Sequence, residues 1–169
     1  IDGAVGTTGL EIAERLAGRP EFSILTLPDN RRKDVAARAE ALNAADFAIL
    51  CLPDAAAVEA VALITNTTTR VIDASSAFRV ADGWTYGFAE FAHGQRDAIR
   101  SAKRVTNPGC YPTGFLALIA PLVARGLLPA DWPYTLNAVS GYSGGGKALI
   151  ERFEAEGDIG FRAYGLAMG

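Results

Sequence analysis

Short apolar runs alternate along the chain with amphipathic, alanine-rich stretches. The apolar runs predict strands over 22–27, 47–52 (FAILCL), 70–73, 104–106, 134–139 and 161–166, with residues 1–2 as the end of an earlier strand. Helical periodicity predicts helices over 8–17, 34–43, 54–64 and 148–155, and one from the turn near residue 110 to about 125. Continuous apolar strands between amphipathic helices indicate a parallel sheet covered on both faces. That is a doubly wound α/β dinucleotide-binding domain. After Asp73 the rhythm breaks into a long irregular stretch with one short helix over 74–103. The expected division is a dinucleotide-binding domain over 1–108 and part of an α+β catalytic domain over 109–169. Both ends read as cut, because a buried parallel strand normally has ~5 residues and the last residues carry no cap or polar tail. Further chain is therefore expected before residue 1 and after residue 169.

Composition narrows the function classes. The chain has 169 residues, 50% apolar and 21% charged, which is ordinary for a globular domain. Net charge is −3, and the only basic cluster is Arg31-Arg32-Lys33, too short to grip a nucleic-acid backbone. No apolar stretch approaches the ~20 residues that span a bilayer, and no segment reads as a signal peptide. Two cysteines, Cys51 and Cys110, are a poor basis for a disulfide framework or a zinc site, and fit a reducing cytoplasm.

Gly3-Ala4-Val5-Gly6-Thr7-Thr8-Gly9 lies between the first strand and the first helix. Glycines there let the backbone approach a pyrophosphate seated on the positive end of the helix. Thr8 and Glu11 have capping-box spacing. The alternative is a tight turn with no ligand. Asp29, at the end of the second strand, suits a ribose hydroxyl and NAD, whereas Arg31, Arg32 and Lys33 suit a 2′-phosphate. NADP is the expected cofactor; the other reading of the cluster is a solvated helix start.

"TNPGCYPTG" (106–114) puts Cys110 at a strand-to-helix corner. Helix N-termini favour the thiolate form of cysteine, the nucleophilic form. Pro112 is expected at the first helical position, with Cys110 just outside the helix mouth. The same backbone N–H groups could hold an oxyanion. An inert cysteine in a turn is the competing reading. Cys51, inside FAILCL, reads as a small apolar filler.

"NPGCYPTG", "GAVGTTG", "IDASSAFR" (72–79) and "SGYSGGGK" (140–147), in that order, resemble the N-acetyl-γ-glutamyl-phosphate reductases, in their shorter version, relatives of aspartate-semialdehyde dehydrogenase. The resemblance covers essentially the whole chain. It implies an NADPH-dependent reduction of an acyl phosphate through a thioester on Cys110, in arginine biosynthesis, by a homo-oligomer. It assigns Gly3, Gly6, Thr7, Thr8, Gly9, Arg31, Arg32, Lys33, Pro53, Ser140 and Gly141 to the cofactor, and Ser75, Arg79, Asn107 and Lys147 to the substrate. For Arg79 a structural ion pair is the alternative. Rival functions are reduction of an aspartyl or carrier-linked aminoacyl phosphate, or nucleotide binding without catalysis.

Two features mislead. Gly141, Gly146 and Lys147 match the start of a P-loop, but Ala148 stands where a magnesium-binding hydroxyl is needed, which excludes a nucleotide-triphosphate site. His93 is the only histidine, and it does not match the family's acid/base histidine, which is expected beyond residue 169. It reads as a surface residue.

Overall fold

The computed structural model describes residues 1–157 and residue 160, with the backbone alone at 146–148. Its strands are β1 (Phe47–Leu50), β2 (Arg70–Asp73), β3 (Thr85–Tyr86) and β4 (Arg104–Thr106), in the spatial order β1-β2-β4-β3. Every neighbouring pair is parallel. Asp2 extends the order with a single parallel bridge to Leu50 beyond β1. The helices are α1 (Thr7–Leu16), α2 (Val35–Ala44), α3 (Asp54–Ala62), α4 (Gln95–Ser101), α5 (Cys110–Ala124) and α6 (Gly146–Glu156), the last preceded by a 3₁₀ turn over Tyr142–Gly145. Strand–helix alternation with parallel pairing makes this an α/β fold, as the apolar runs predict. Two compact units form, Ile1–Leu136 and Asn137–Gly169.

The register places the site. Leu50 pairs with Asp73, Asp73 with Thr106, and Thr106 with Tyr86, so the carboxyl ends of all four strands lie in one row. The segments 51–54, 74–79 and 107–110 leave the sheet from that row, and the glycine turn leaves beside it after Asp2. Ligands of parallel sheets bind along this edge. Beneath it, Leu42, Ala48, Leu50, Ala60, Val61 and Val71 form the core, with Phe78 and Trp84 packed against it.

Local chemistry explains the element ends. Asp34 caps α2 by accepting from the Ala37 N–H at 2.7 Å, offsetting one of the unpaired amides of a helix start. Arg38 of α2 reaches the Asp2 carboxylate at 2.8 Å, a pair little exposed to solvent, and so ties the helix to residues before the glycine turn.

Several expectations need correction. Residues 22–27 form no strand, and Phe22 and Leu25 stay about half exposed. Before β1 only Asp2 makes a ladder contact, and its N–H and carbonyl both face β1, which leaves too short an edge for a strand over 22–27 to pair with. Residues 134–139 also find no strand partner among the described residues, leaving Leu136 and Val139 exposed. The strand expected over 161–166 lies outside the described residues. The Thr8–Glu11 capping box does not form: α1 begins at Thr7 behind Gly6, with no side-chain cap, and Glu11 pairs with Arg15 at 2.7 Å. Helix α5 begins two residues earlier than Pro112, which makes Cys110 its first residue.

Candidate active site

Gly3 turns the chain with φ +86°, a conformation side chains resist. A Cβ there would run into the carbonyl oxygen of Cys51, and one at Gly9 would lie 2.7 Å from the Ala4 Cα. The turn is thus packed on itself and on the end of β1. At Gly6 the nearest atom to an added Cβ is the Gly3 oxygen at 3.5 Å. The first amides of α1, around Thr7 and Thr8, have no side-chain cap. An uncapped helix start behind a bare backbone fits a pyrophosphate. Pro53 is the exposed residue before α3, on the strand segment whose Cys51 oxygen touches Gly3. Arg31, Arg32 and Lys33 are exposed in the turn before Asp34, where Arg32 lies 3.7 Å from Asp29. Arg31 and Lys33 have no ion-pair partner among the described residues.

The thiol of Cys110 is exposed, at the first position of α5. Gly109 precedes it without a side-chain cap, and its carbonyl accepts from the Thr113 N–H at 2.9 Å and the Thr113 hydroxyl at 2.8 Å. The amides of Cys110 and Tyr111 therefore point off the helix end, with Pro112 supplying none. Cys51 differs: it is partly buried, and burial pushes its thiol up, with the Asp73 and Asp2 carboxylates adding to the rise.

One cation is brought to Cys110 from far away in the sequence. A Cβ on Gly109 would fall 2.7 Å from Nη1 of Arg79 and 3.3 Å from its Cζ, so the guanidinium fills the space beside that glycine. Arg79 is partly buried, its Nε has no hydrogen-bond partner, and it makes no ion pair among the described residues. A semi-buried guanidinium without a salt bridge, next to an uncapped helix start, has the charge and the free donors that an anion site needs.

The loop carrying Arg79 is held by two carboxylates. Ser75 is buried, donates its hydroxyl to Asp73 at 2.6 Å and accepts from the Ala77 N–H at 3.2 Å. Its hydroxyl thus serves the loop. Ser76 donates its N–H and its hydroxyl to Asp54 of α3, at 2.9 and 2.6 Å. Those two bonds, the hydroxyl's first, hold the Asp54 carboxyl below its ordinary range. The Asp73 carbonyl accepts from the Asn107 N–H at 2.6 Å, joining this loop to the cysteine turn. Asp73 Oδ1 and Thr106 Oγ1, both on fully buried residues, have no partner. Phe78 stacks on Trp84 at 4.3 Å between ring centres, which anchors the loop beside Arg79. In the sequence Asp54 is only the start of a predicted helix over 54–64; its spacing from Ser76 gives no sign of the bond.

In the second unit, Ser140 bonds the Gly141 carbonyl at 3.1 Å and Gly144 closes back onto Gly141 at 3.0 Å. The segment is a 3₁₀ turn running into α6, without the preceding strand a P-loop requires. Lys147 falls in the first turn of α6, and its side chain is outside the described atoms. His93 is exposed in a turn. No helix among the described residues is long and apolar enough to cross a membrane.

Comparison with known proteins places the chain in a family. Residues 1–102 match the semialdehyde dehydrogenase NAD-binding domain, and residues 110–168 match the semialdehyde dehydrogenase dimerisation domain. The chain belongs to the semialdehyde dehydrogenase family. It is 59% identical over 170 residues to an N-acetyl-gamma-glutamyl-phosphate reductase of Chelativorans sp., with 99% of this chain and 55% of that protein covered. A protein of the same name from Mesorhizobium japonicum matches at the same identity and coverage, 59%, 99% and 55%. An N-acetyl-gamma-glutamyl-phosphate reductase 2 of Nostoc sp. is 51% identical, with 100% of this chain and 55% of its own length covered. The chain spans about half the length of these curated relatives.

Proposed function

We propose that this chain carries the nucleotide site and the nucleophile of an enzyme that reduces N-acetyl-γ-glutamyl phosphate to N-acetylglutamate 5-semialdehyde and phosphate, with NADPH. One observation carries the reading: the unpaired Arg79 guanidinium beside Gly109, next to the exposed Cys110 thiol at an uncapped helix start. The relatives' names support the choice of substrate.

Each residue then has a task. Cys110 sulfur attacks the acyl carbonyl, and the amides of Cys110 and Tyr111 stabilise the oxyanion. Arg79 holds the phosphate group, which leaves with the electron pair of the acyl–oxygen bond and gives a thioester on Cys110. When bound, a nicotinamide cofactor would supply the hydride that reduces this thioester. The resulting tetrahedral species breaks its C–S bond, releasing aldehyde as the thiol regains a proton. Gly3, Gly6, Thr7, Thr8 and Gly9 would cradle the pyrophosphate, Arg31, Arg32 and Lys33 the 2′-phosphate, and Pro53 the nicotinamide side. Asn107 would join Arg79 on the substrate, with Ser75 shaping the loop. For Ser140 and Gly141 at the cofactor and Lys147 at the substrate, the family resemblance is the support. The division at 108/109 would separate the nucleotide-binding domain from the part that carries the nucleophile, and the dimerisation-domain match supports a homo-oligomer. Cytoplasmic location accords with the free thiols.

The test is phosphate-dependent NADPH formation from N-acetylglutamate 5-semialdehyde by the complete protein. Activity should vanish in Cys110→Ser. A clear preference for aspartate semialdehyde, or full activity in Cys110→Ser, overturns the reading.

A further inference from the structure

We infer that Asp54 is a positioning residue: through its paired bonds to Ser76 it fixes the loop that delivers Arg79 to the cysteine turn. This rests on the reading of Arg79 as the group that holds phosphate.

The physical chain is short. Asp54 is the first residue of α3, where the helix dipole favours a carboxylate. It gives one oxygen to the Ser76 N–H and the other to the Ser76 hydroxyl, so the loop is gripped through backbone and side chain together. Ser76 in turn accepts the Arg79 N–H at 3.4 Å, and the Arg79 guanidinium rests against Gly109. No salt bridge forms on that guanidinium among the described residues, although the Asp54 carboxylate also attracts it through space. Its place is therefore set by the loop's backbone, with that attraction adding to the hold. The neighbouring serine is held by Asp73, but that residue is fully buried and props up the sheet edge as well. Asp54 is exposed, which makes it the separable half of the clamp.

The same segment gives the position a second meaning. Residues 51–54 start at the carbonyl that Gly3 packs against and end at the carboxylate that grips Ser76. The nucleotide turn and the phosphate-holding arginine thus share one short stretch of backbone. A loosened Ser76 bond should weaken phosphate without weakening nucleotide, because Gly3 contacts the Cys51 end and not the Asp54 side chain.

The experiment measures protection of Cys110 from iodoacetamide by inorganic phosphate in the complete protein, with NADPH affinity measured alongside. Asp54→Ala, which removes both bonds, should raise the half-protecting phosphate concentration about tenfold, the loss expected for a charge-assisted hydrogen bond. Ser76→Ala, which keeps the N–H bond to Asp54, and Asp54→Asn, which keeps an acceptor for that N–H, should fall between Asp54→Ala and the wild type. NADPH affinity should stay within about twofold. In an Arg79→Ala background, Asp54→Ala should add nothing. If phosphate protects the wild type through Arg79 but Asp54→Ala changes nothing, the inference on Asp54 fails alone. If phosphate and NADPH weaken together, Asp54 is merely structural and the inference fails. If phosphate never protects, or Arg79→Ala does not alter protection, the reading of Arg79 fails and takes this one with it.

Discussion

Replacing Gly109 by alanine tests the contact on which the site depends. Gly109 has φ −72° and ψ 153°, ordinary extended backbone that alanine adopts without strain. The new Cβ would nevertheless stand 2.7 Å from Arg79 Nη1, 3.3 Å from its Cζ and 3.2 Å from the Pro112 Cδ. Comfortable separation of such atoms is ~3.5 Å, so the guanidinium must withdraw by about 0.8 Å. It is the end of a flexible side chain, and it can do so without moving the backbone. The fold should therefore hold, with the midpoint of urea unfolding within ~1 kcal/mol of the wild type, since alanine also restricts the unfolded chain. Catalysis should not hold. A misplacement near 1 Å can cost ~100-fold, so kcat/KM should fall ~10- to 100-fold, about 1.4–2.7 kcal/mol of transition-state stabilisation. The loss should show in phosphate KM when the complete enzyme is run from semialdehyde and phosphate. Arg79→Ala should be at least as damaging, and the double variant no worse than Arg79→Ala alone. Should Gly109→Ala keep a normal phosphate KM, or should the two effects multiply, Arg79 does not act through the space beside Gly109.

Other expectations follow from the same geometry. Gly3→Ala meets both a positive φ and a backbone carbonyl, so it should destabilise by ~2 kcal/mol or more and abolish nucleotide binding, measured by urea unfolding and NADPH titration. At neutral pH iodoacetamide should label Cys110 far faster than Cys51, read by mass spectrometry of the digested protein; equal rates would refute the assignment. Folding raises the Cys51 thiol, so the unfolded chain loses that proton first as pH climbs past the ordinary value of 9.0. Stability should decline above that pH, and Cys51→Ala should flatten the decline in the urea midpoint. Exchanging Arg31 and Lys33 for alanine should raise the KM for NADPH several-fold, with that for NADH nearly unchanged.

Much of this was legible in the sequence, for identifiable reasons. Arg70–Asp73 and Arg104–Thr106 are flanked by turns and have neighbours on both sides, so apolar pattern and pairing agree. The 22–27 run has the same pattern without the neighbour, and pattern alone does not make a ladder. Asp34 caps its helix as its position suggests, whereas Thr8 does not, because α1 starts one residue earlier and Glu11 is drawn to Arg15. The cysteine turn announces itself through its prolines and glycines. The contact of Arg79 with Gly109 does not, for it depends on the Asp73–Thr106 register that brings two distant loops to one sheet edge.

The ring stack of Phe78 on Trp84 has a practical use. Trp84 is partly buried against the core and Arg104 lies over its ring at 5.7 Å, while Trp132, the other indole, is 63% exposed. An aqueous quencher such as acrylamide would silence Trp132 first and leave an emission dominated by Trp84. The protein thus carries a built-in fluorophore one residue contact from its arginine loop, and the proposed anion binding there should be visible by light without any label.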